Sequence, residues 1–351
     1  MSTTLTLALD AMGGDNAPEA VIRGANIARK RYPTLQFVLV GDEKRLIRLV
    51  RRKRKLRERV SIRHTSEVVP SDMRPSQALR GGRASSMWHA IDAVKEGEAD
   101  GVVSAGNTGA LMAMAKLQLR TLPGIHRPAM ASFFPTLKGE SVMLDLGANV
   151  ECDANNLVQF AVMGTIFSRI VLGLAEPTVG LLNVGTEEMK GHEELKSANT
   201  FLRSTNLPIN FHGFIEGDDI AAGTVDVIVT DGFTGNIALK TAEGTARLVN
   251  QFLREAFKSS ISAQLGYLLA RRALKKLARR VDPRRHNGAM FVGLNGIAVK
   301  SHGGTDALGF ANAIGVAHDM AVGGFNARIR DEFEKLNPGE IPGPASVAAG
   351  A

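Results

Sequence analysis

The sequence of 351 residues predicts an α/β fold with a mainly parallel sheet. Short runs rich in valine, leucine and isoleucine alternate with amphipathic segments of helical length, which is the pattern of strands joined by right-handed helical crossovers. The strand-like runs are LTLALDA, LQFVLVG, DGVVSAG, SVMLDLG, TVGLLNVG, INFHGFIE and VDVIVTDG. Helices are expected near residues 17–31, 43–57, 84–97, 108–120, 153–172, 191–204, 234–258 and 305–335.

The length of the chain limits its domain organisation. At 351 residues it exceeds the size at which a single core usually stops growing, so one large domain and two lobes are both compatible with it. We expect one α/β domain over residues 1–335. Residues 336–351 are rich in proline, glycine and alanine, which predicts a flexible tail.

The segment from about residue 250 to 285 predicts a bent or hairpin-like projection. At 100° per residue, Leu253 and Leu265 share one helix face, whereas Leu274 lies on roughly the opposite face. The faces change over at residues 266–269 (GYLL), where we expect an apolar tip with basic flanks. Such a tip suits a membrane interface or a groove on a partner, and a helix pair at a dimer interface is an equal alternative.

The positive charge is concentrated in two stretches of the chain. The formal net charge is +8, and residues 44–59 alone hold ten basic residues and one acidic residue. A second basic cluster occupies residues 271–285. Such patches attract an anionic partner, which could be nucleic acid, an acidic protein or a lipid surface. A solvated helix face is an equal alternative for the first patch.

The single cysteine and the apolar pattern predict the cellular location. One cysteine, Cys152, excludes an intrachain disulfide framework and is compatible with a reducing cytoplasm. The first residues lack the regions of a signal peptide, and no apolar run approaches the roughly 20 residues of a membrane-spanning helix. We therefore expect a cytoplasmic protein that is not integral to the membrane. Since no activating group adjoins Cys152, a structural role is expected for it.

Five predicted strands run directly into small or polar residues. In an open α/β sheet, ligands bind outside the carboxyl ends of the strands, where helix N-termini also point. We therefore expect the five ends to converge on one cleft, although glycine, asparagine and aspartate are also ordinary turn residues. The ends are residues 10–15, 104–108, 145–149, 183–190 and 231–236.

The motifs at these ends favour anion binding by the backbone. In SAGNTGA, residues 104–110, small and polar residues open a helix, which suits a phosphate cradle. The Gly-Lys-Ser/Thr ending of a P-loop is missing, and no convincing GxGxxG pattern supports dinucleotide binding. The histidines lack metal-ligand spacing, so no metal is expected.

The side chains of these segments are rich in hydrogen-bond donors and poor in nucleophiles. Such a site suits a reaction in which an anionic substrate is itself the nucleophile, while the protein supplies position and oxyanion stabilisation. The residues concerned are Asn107, Asn149, Asn183, Lys190, Asp231, Asn236, Lys240 and His302.

Successive blocks of the sequence resemble those of the bacterial phosphate acyltransferases, the acyl-acyl carrier protein:phosphate transacylases of phospholipid synthesis. The blocks include LALDAMGGDNAPE, RPSQALR, SAGNTGALM, LDLGANVECDANNLVQFAVMG, LLNVGTEEMKG, DVIVTDGFTGNIALKTAEG and NGAMFVGLNGIAVKSHGGTDALGF. The resemblance is collinear from about residue 5 to residue 325, so it covers nearly the whole chain.

The resemblance implies a reaction, a fold and several partners. A long fatty acyl group would pass from the thioester of acyl carrier protein to inorganic phosphate, giving acyl phosphate. The family fold is a three-layer α/β/α homodimer, similar to isopropylmalate dehydrogenases and phosphate acetyltransferases, and no metal or organic cofactor is implied. A membrane glycerol-3-phosphate acyltransferase would take the product.

The matching motifs also imply roles for residues. Lys190 is the first expected cationic phosphate ligand and Lys240 the second. Asp231 would hold a lysine or orient phosphate as a base, and Asn236 and His302 would polarise the thioester carbonyl or protonate the leaving thiolate. The wider expected substrate site consists of Asp10, Gly13, Gly14, Asp15, Ser104, Asn107, Thr108, Asn149, Asn183 and Lys240.

Within that site, Gly13 and Gly14 allow close approach of the backbone to phosphate. Asp10 and Asp15 are expected to orient donors or cap the following helix, because they would repel a dianion.

Two surfaces are expected to contact partners. The first would steer the acidic carrier protein through its positive charge. The second falls where family members carry a membrane-touching element, and it would contact an anionic membrane peripherally. The expected docking residues are Arg48, Arg51, Arg52, Lys53 and Arg54, and the expected membrane residues are Leu265, Tyr267, Leu268 and Leu269.

Three other functions are alternatives to this one. A phosphate acyltransferase of the same fold that acts on short acyl-coenzyme A needs neither a docking patch nor an apolar tip. A decarboxylating dehydrogenase of the same fold needs a nicotinamide and a divalent metal, which no motif indicates. A basic nucleic-acid-binding protein would use residues 44–59, but it leaves the polar strand ends unexplained and has few aromatic platforms for bases. No nucleic-acid partner is therefore expected.

Overall fold

The computed structural model describes residues 4–205, 207–280 and 288–335. Eleven strands are present in this part of the chain. They are β1 (Thr6–Asp10), β2 (Gln36–Gly41), β3 (Val60–His64), β4 (Gly101–Ser104), β5 (Ala129–Pro135), β6 (Glu140–Leu144), β7 (Thr178–Leu182), β8 (Asn210–Ile215), β9 (Val227–Val229), β10 (Ala289–Val292) and β11 (Ile297–Lys300).

Thirteen α-helices accompany the strands in the described residues. They are α1 (Glu19–Arg31), α2 (Glu43–Arg51), α3 (Arg54–Arg57), α4 (Pro75–Gly81), α5 (Ser86–Lys95), α6 (Thr108–Leu119), α7 (Ala154–Phe167), α8 (Glu193–Ser204), α9 (Gly217–Ala222), α10 (Gly232–Lys258), α11 (Ile261–Arg280), α12 (Ala307–Val322) and α13 (Phe325–Lys335). A π-helical turn, Ser168–Leu172, continues α7.

Side-chain caps explain where several helices begin. Asp42 accepts a hydrogen bond from the backbone N–H of Arg45, and Asp153 accepts one from that of Asn156. Such caps satisfy N–H groups that the first turn of a helix leaves without a partner. The helices therefore begin immediately after the polar residues that end many of the strands.

All eleven strands form one sheet, in the order β3-β2-β1-β4-β11-β10-β5-β6-β9-β7-β8. The antiparallel pairs are β10 with β11, β10 with β5, and β5 with β6, and the other pairs are parallel. The mainly parallel sheet is therefore confirmed. The antiparallel strands at the centre reverse the sheet, so that β6, β7, β8 and β9 run opposite to β1, β2, β3, β4 and β11.

Helices cover both faces of the sheet, which confirms the three-layer α/β/α fold. Along β1, Leu7 and Leu9 belong to one buried cluster, with α1, α7 and α12. Ala8 belongs to the cluster on the other face, with α5 and α6. Successive side chains of a strand point to opposite faces, so both faces must be apolar when both are covered.

The predicted strands and helices are present in the structure, but two of the predicted helices are interrupted. All seven predicted strand runs form strands, while β3, β5, β10 and β11 were not predicted. The helix expected over residues 43–57 is broken between α2 and α3, where Lys53 leaves helical geometry with a φ of −129° and a ψ of 73°. The helix expected over residues 305–335 is broken at Gly323 and Gly324, and Gly324 has a φ of +63°.

The projecting segment is a pair of helices, but the expected position of its bend is wrong. Ser259 and Ser260 separate α10 from α11, whereas residues 266–269 lie inside α11. The rings of Phe257 and Tyr267 meet edge to face, with centroids 5.5 Å apart, and join the two helices across the bend. The side chains of residues 275–280, residues 281–287 and the predicted tail, residues 336–351, lie outside the described part.

One helix of the described residues is long and apolar enough to cross a membrane by length and composition. It is α7 with its π-helical turn, residues 154–172. Most of this segment is buried, and Phe160 and Phe167 are fully enclosed in the core. Its apolar character is therefore explained by its position between the sheet and α8.

Candidate active site

A buried carboxylate organises the carboxyl ends of β1, β4 and β11, which we call the first strand-end cluster. Asp10 is 1% exposed and accepts hydrogen bonds from the hydroxyls of Ser86 and Ser104, both at 2.6 Å. The backbone N–H groups of Met12 and Gly13 donate to the same carboxylate at 3.3 and 3.1 Å. Burial is the largest influence on the Asp10 pKa and raises it, while these four donors oppose that rise.

The glycines of this cluster are required by close packing. A Cβ on Gly13 would lie 2.3 Å from Asp10 Oδ2, and one on Gly14 would lie 2.8 Å from the Cβ of Ala105. Gly14 also has a φ of +96°, and its Cβ would approach the Gly303 carbonyl at 3.0 Å. Only glycine allows three loops to meet this closely.

A lysine that the sequence analysis missed lies at the centre of the cluster. Lys300, the last residue of β11, pairs in register with Ser104 and is 7% exposed. Its ammonium donates to the carbonyls of Ala105, at 3.4 Å, and Ser301. Burial lowers the pKa of Lys300 to about 8, while the nearby negative charges of Asp10 and Asp15 raise it.

Other predicted residues line the exposed side of this cluster. Asp15, whose N–H donates to the Gly303 carbonyl, is exposed, as are Thr108 and His302. Asn107 caps α6 and also donates from its side chain to the Met73 carbonyl at 2.8 Å. Asn107 therefore fixes the loop that precedes α4, while the exposed residues are available to a ligand.

The second strand-end cluster is built around Asp145, which follows β6. Its carboxylate accepts from the backbone N–H groups of Met130 and Ala148 at 2.9 and 3.0 Å. The side-chain amide of Asn149 donates to Asp145 at 2.8 Å and to the Pro128 carbonyl at 2.8 Å. Burial raises the pKa of Asp145, and these donors oppose the rise. The predicted site residue Asn149 is therefore part of a buried scaffold.

Two predicted catalytic residues belong to the second cluster. Asp231 caps α10, because its carboxylate accepts from both the N–H and the hydroxyl of Thr234 at 2.8 Å. Asn236 is exposed and donates to the Leu146 carbonyl at 3.2 Å. The amide of Asn236 also packs over Gly147, where a Cβ would lie 2.8 Å away.

The loop after β7 holds Lys190 and Asn183. The Asn183 side chain donates to the Lys190 carbonyl at 3.1 Å and accepts from the Val184 N–H at 2.9 Å. The Lys190 side chain is 54% exposed, and its ammonium lies 4.0 Å from the carboxylate of Glu187. An exposed ion pair of this kind contributes little to stability, so the ammonium is available to a ligand.

The five strand ends belong to two groups of strands that run in opposite directions, and their convergence on one cleft stays a prediction. The ends that carry Asp10 and Ser104 lie at the same edge, with Lys300 between them and β10. Residues 145–149, 183–190 and 231–236 follow strands that run in the opposite direction. The reversal through β10 and β5 causes this separation, and strand direction cannot be read from the apolar runs.

Helix α10 connects the two clusters. It begins in the second cluster, and two turns later its Lys240 is near enough to the first cluster for its charge to lower the pKa of Lys300. The Lys240 ammonium donates to Glu243 at 3.1 Å. Lys240 therefore lies within electrostatic reach of Lys300, and its role as a phosphate ligand stays a prediction.

The basic stretch of residues 44–59 forms a concavity beside the first cluster. A hollow of about 660 Å³ lies between α1 and α2. Among the predicted docking residues, Arg54 is exposed and 3.8 Å from Glu58. The hollow is lined by Glu19, Arg45, Arg48, Leu49, Arg51 and Arg52.

The remaining expected chemistry involves Cys152 and metals. Cys152 is half-buried, and burial raises the pKa of its thiol to about 12. The thiol is therefore protonated at neutral pH and is a poor nucleophile. No group of three or more histidine, cysteine, aspartate or glutamate residues that could hold a metal ion occurs within the described ranges.

Three functional positions were missed by sequence reasoning, namely Ser86, Asp145 as an anchor, and Lys300. Ser86 and Asp10 are 76 residues apart, so only folding brings them together. Lys300 stands at the end of an apolar run, IAVKS, which was not identified as a strand. A charged residue at the end of a buried strand is the signal that could have found it.

Comparison with known proteins identifies the family. A family model described as "Fatty acid synthesis protein" matches residues 5–328. A "Phosphate acyltransferase" of Rhodospirillum centenum is 66% identical over 336 residues, covering 96% of this chain and 95% of the relative. Another of that name, from Paramagnetospirillum magneticum, is 59% identical over 350 residues, covering 100% of this chain and 99% of the relative.

Solved structures share the fold at low sequence identity. A phosphotransacetylase from Streptococcus pyogenes has a TM-score of 0.63 and 18% identity, with 92% of this chain and 95% of that chain covered. A branched-chain phosphotransacylase from Enterococcus faecalis V583 has a TM-score of 0.55 and 13% identity, with 90% and 99% covered. These structures agree with the fold of this chain, and the sequence matches identify its family. The chain belongs to the bacterial phosphate acyltransferases, which the family model describes as fatty acid synthesis proteins, and it is an acyltransferase.

Proposed function

We propose that the enzyme transfers a long-chain fatty acyl group from the thioester of acyl carrier protein to inorganic phosphate. The products are acyl phosphate and the free thiol of the carrier. The observation that carries this proposal is the first strand-end cluster, where glycine-rich backbone meets a buried ammonium at the ends of three strands. Convergent N–H groups and a cation form an anion site.

The acceptor phosphate is expected to be the nucleophile. The thiol of Cys152 is held protonated by burial, and the donor-rich loops supply position rather than a covalent intermediate. A phosphate oxygen attacks the thioester carbonyl, the carbon–sulfur bond breaks, and the thiolate takes a proton as it leaves. Thioester and acyl phosphate are both activated, so the exchange needs no other energy source.

The residues of the two clusters have different proposed roles in binding and catalysis. Asp10 and Asp15 orient donors, since their charge would repel a phosphate dianion directly. Lys190, which is exposed, supplies a cation that moves to the phosphate, and Lys240 supplies a second. Asp231 holds α10 by capping it, and this contact favours its orienting role over a role as base.

Asn236 and His302 are the proposed donors to the developing oxyanion or to the leaving thiolate. Both are exposed at strand ends, so a substrate can reach them. An amide or imidazole N–H aimed at an oxyanion stabilises the transition state by several kcal/mol.

The arginine-lined hollow is the proposed docking surface for the carrier protein. It runs along α2, and Gly41, two residues before the start of that helix, packs against Met12 of the loop after β1. A carrier docked there therefore lies beside the proposed phosphate site. Because surface charge mainly accelerates encounter, the association rate is expected to fall as salt rises.

We further propose that the enzyme is a cytoplasmic homodimer that contacts anionic membranes peripherally. Leu265, Leu268 and Leu269 are exposed on α11, at 59, 62 and 88%. Apolar side chains on an exposed helix with basic neighbours suit a membrane surface. A membrane glycerol-3-phosphate acyltransferase would consume the product there.

The test measures thiol release from purified long-chain acyl-acyl carrier protein, with and without phosphate, while hydroxylamine traps acyl phosphate as a hydroxamate. The variants are Lys190→Ala and Lys196→Ala. The two lysines are matched, since each lies within 4.0 Å of a glutamate three residues earlier. We expect phosphate-dependent thiol and hydroxamate in the wild type and in Lys196→Ala, and at least a tenfold loss in Lys190→Ala.

Each result decides a different part of the proposal. Turnover that survives Lys190→Ala keeps the reaction and removes Lys190 from the site. Turnover with short acyl-coenzyme A but not with the carrier substrate would refute the proposed donor. A carrier KM that does not change with salt or with Arg48→Glu would refute docking at the hollow.

A further inference from the structure

Lys300 is a charged residue of the first strand-end cluster to which the sequence analysis gave no role. It is 7% exposed, and burying a lysine ammonium costs free energy unless the charge interacts with an anion or with hydrogen-bond acceptors. Its position at the end of β11 is fixed by pairing with β4 in register with Ser104. The backbone of Lys300 is therefore held at the carboxyl end of β4.

Among the described residues, the hydrogen bonds of Lys300 occupy two of its three N–H donors. An ammonium has three N–H groups. Within the described residues, the two acceptors in reach are the carbonyls of Ala105 and Ser301. No carboxylate of the described residues forms an ion pair with Lys300, and both Asp10 oxygens are already bonded to hydroxyl and backbone donors.

The surroundings of Lys300 place it beside the glycine loop. Its acceptor, the Ala105 carbonyl, would lie 3.2 Å from a Cβ on Gly14. The charged groups whose fields reach Lys300 come from three elements, namely Asp10 of β1, Asp15 of the following loop and Lys240 of α10. The loop after β11 adds His302 at the exposed rim.

We propose that Lys300 binds the acceptor phosphate, donating its third N–H to a phosphate oxygen. This inference rests on the proposed function, because it assigns a ligand to the same acceptor. Asp10 keeps the ammonium from being an isolated buried charge, and its own oxygens face away to other donors. Lys300 would thus touch the substrate, whereas Asp10 acts through it.

Phosphate binding at Lys300 predicts a particular pH dependence. The pKa of Lys300 is lowered to about 8 by burial, so the free enzyme loses this charge as pH rises above 8. A bound dianion favours the charged ammonium. The wild-type KM, expressed as the concentration of phosphate dianion, is therefore expected to rise about tenfold between pH 7 and pH 9. An arginine at this position stays charged throughout that range.

The experiment compares the wild type with Lys300→Met, Lys300→Arg and the exposed control Lys116→Met, using kinetics at pH 7, 8 and 9. At pH 7 we expect Lys300→Met to raise the phosphate KM at least tenfold and to leave the carrier KM within twofold. Lys300→Arg should bind phosphate more weakly at pH 7 but lose the rise toward pH 9. Lys116→Met should match the wild type.

A phosphate KM unchanged in Lys300→Met overturns the proposal. Parallel pH profiles in Lys300→Arg and the wild type also overturn it, because a purely structural lysine would not shape that profile. If Lys300→Met does not fold, the Lys300→Arg profile decides. If the wild type shows no phosphate-dependent transfer, the proposed function fails by itself. Calorimetry with inorganic phosphate then tests Lys300 directly, and equal affinity in wild type and variant refutes it.

Discussion

The two strand-end clusters contain the same kind of turn, but their proposed roles differ. In each, an aspartate at the carboxyl end of a buried strand accepts hydrogen bonds from the backbone N–H groups of a tight turn, and burial raises the pKa of that aspartate. Asp145 is joined by the amide of Asn149, which is neutral. Asp10 is joined by two hydroxyls and lies within electrostatic reach of Lys300. The first cluster therefore carries a buried cation beside its aspartate, whereas the aspartate of the second cluster is held by neutral donors alone.

The presence of Lys300 in the first cluster shows how a turn of the same kind can serve either as a scaffold or as an anion site. A carboxylate that is satisfied by donors only fixes the backbone. When a buried ammonium with a spare donor stands beside it, the same turn can receive an anion. The comparison predicts that removing the charge of Asp10 impairs phosphate binding, whereas removing that of Asp145 impairs stability alone.

The largest effect is expected from Asp10→Asn. The neutral amide removes the buried negative charge near Lys300 and the charged acceptor of four hydrogen bonds, each worth about 1.5 to 3 kcal/mol, and so disturbs the glycine loop. We expect kcat/KM for phosphate to fall at least about a hundredfold. Steady-state kinetics at varied phosphate measure this. An equal loss in Asp145→Asn would remove the distinction between the clusters.

Asp145→Asn is expected to lower the free energy of unfolding by about 3 kcal/mol. The variant loses hydrogen bonds to a charged acceptor, each worth about 1.5 to 3 kcal/mol, and turns an amide toward backbone donors. Urea unfolding measures the change, and the phosphate KM should stay within twofold. A tenfold rise in that KM with little loss of stability would contradict the assignment of Asp145 as scaffold.

The free energy of unfolding should also depend on alkaline pH through Lys300. Below pH 8 the lysine is protonated in both folded and unfolded chains, and its burial opposes folding. Between about 8 and 10.5 the folded chain loses this proton first, so stability rises with pH. Without phosphate, the wild type should gain about 2 kcal/mol over Lys300→Met between pH 7.5 and 9.5. A flat difference would refute the lowered pKa.

The smallest effect is expected from Cys152→Ser, beside the second cluster. Its thiol is protonated at neutral pH and lies 3.9 Å from the Asn149 carbonyl, a weak contact. We expect kcat/KM within about twofold of the wild type and a stability change of about 0.5 kcal/mol. Loss of activity at unchanged stability would show that a protein nucleophile had been overlooked.

Local sequence signals predicted much of the fold and part of the site. The apolar runs identified seven strands, and the predicted helices near residues 43–57 and 234–258 begin within three residues of the observed starts of α2 and α10. The predicted bend at residues 266–269 failed, because side-chain faces can change along a continuous helix whose sides are both exposed. Four strands were missed, and two of them, β5 and β10, reverse the sheet.

By itself the sequence determined the α/β class, the family and the polar character of the strand ends, because these depend on residue order and local period. The tertiary structure decided which ends meet. Strand direction separates Asp145 and Asp231 from Asp10, and the pairing of β11 with β4 buries Lys300 beside the glycine loop. Those contacts join residues hundreds of positions apart, and only the packing of the whole sheet sets their distance, burial and charge.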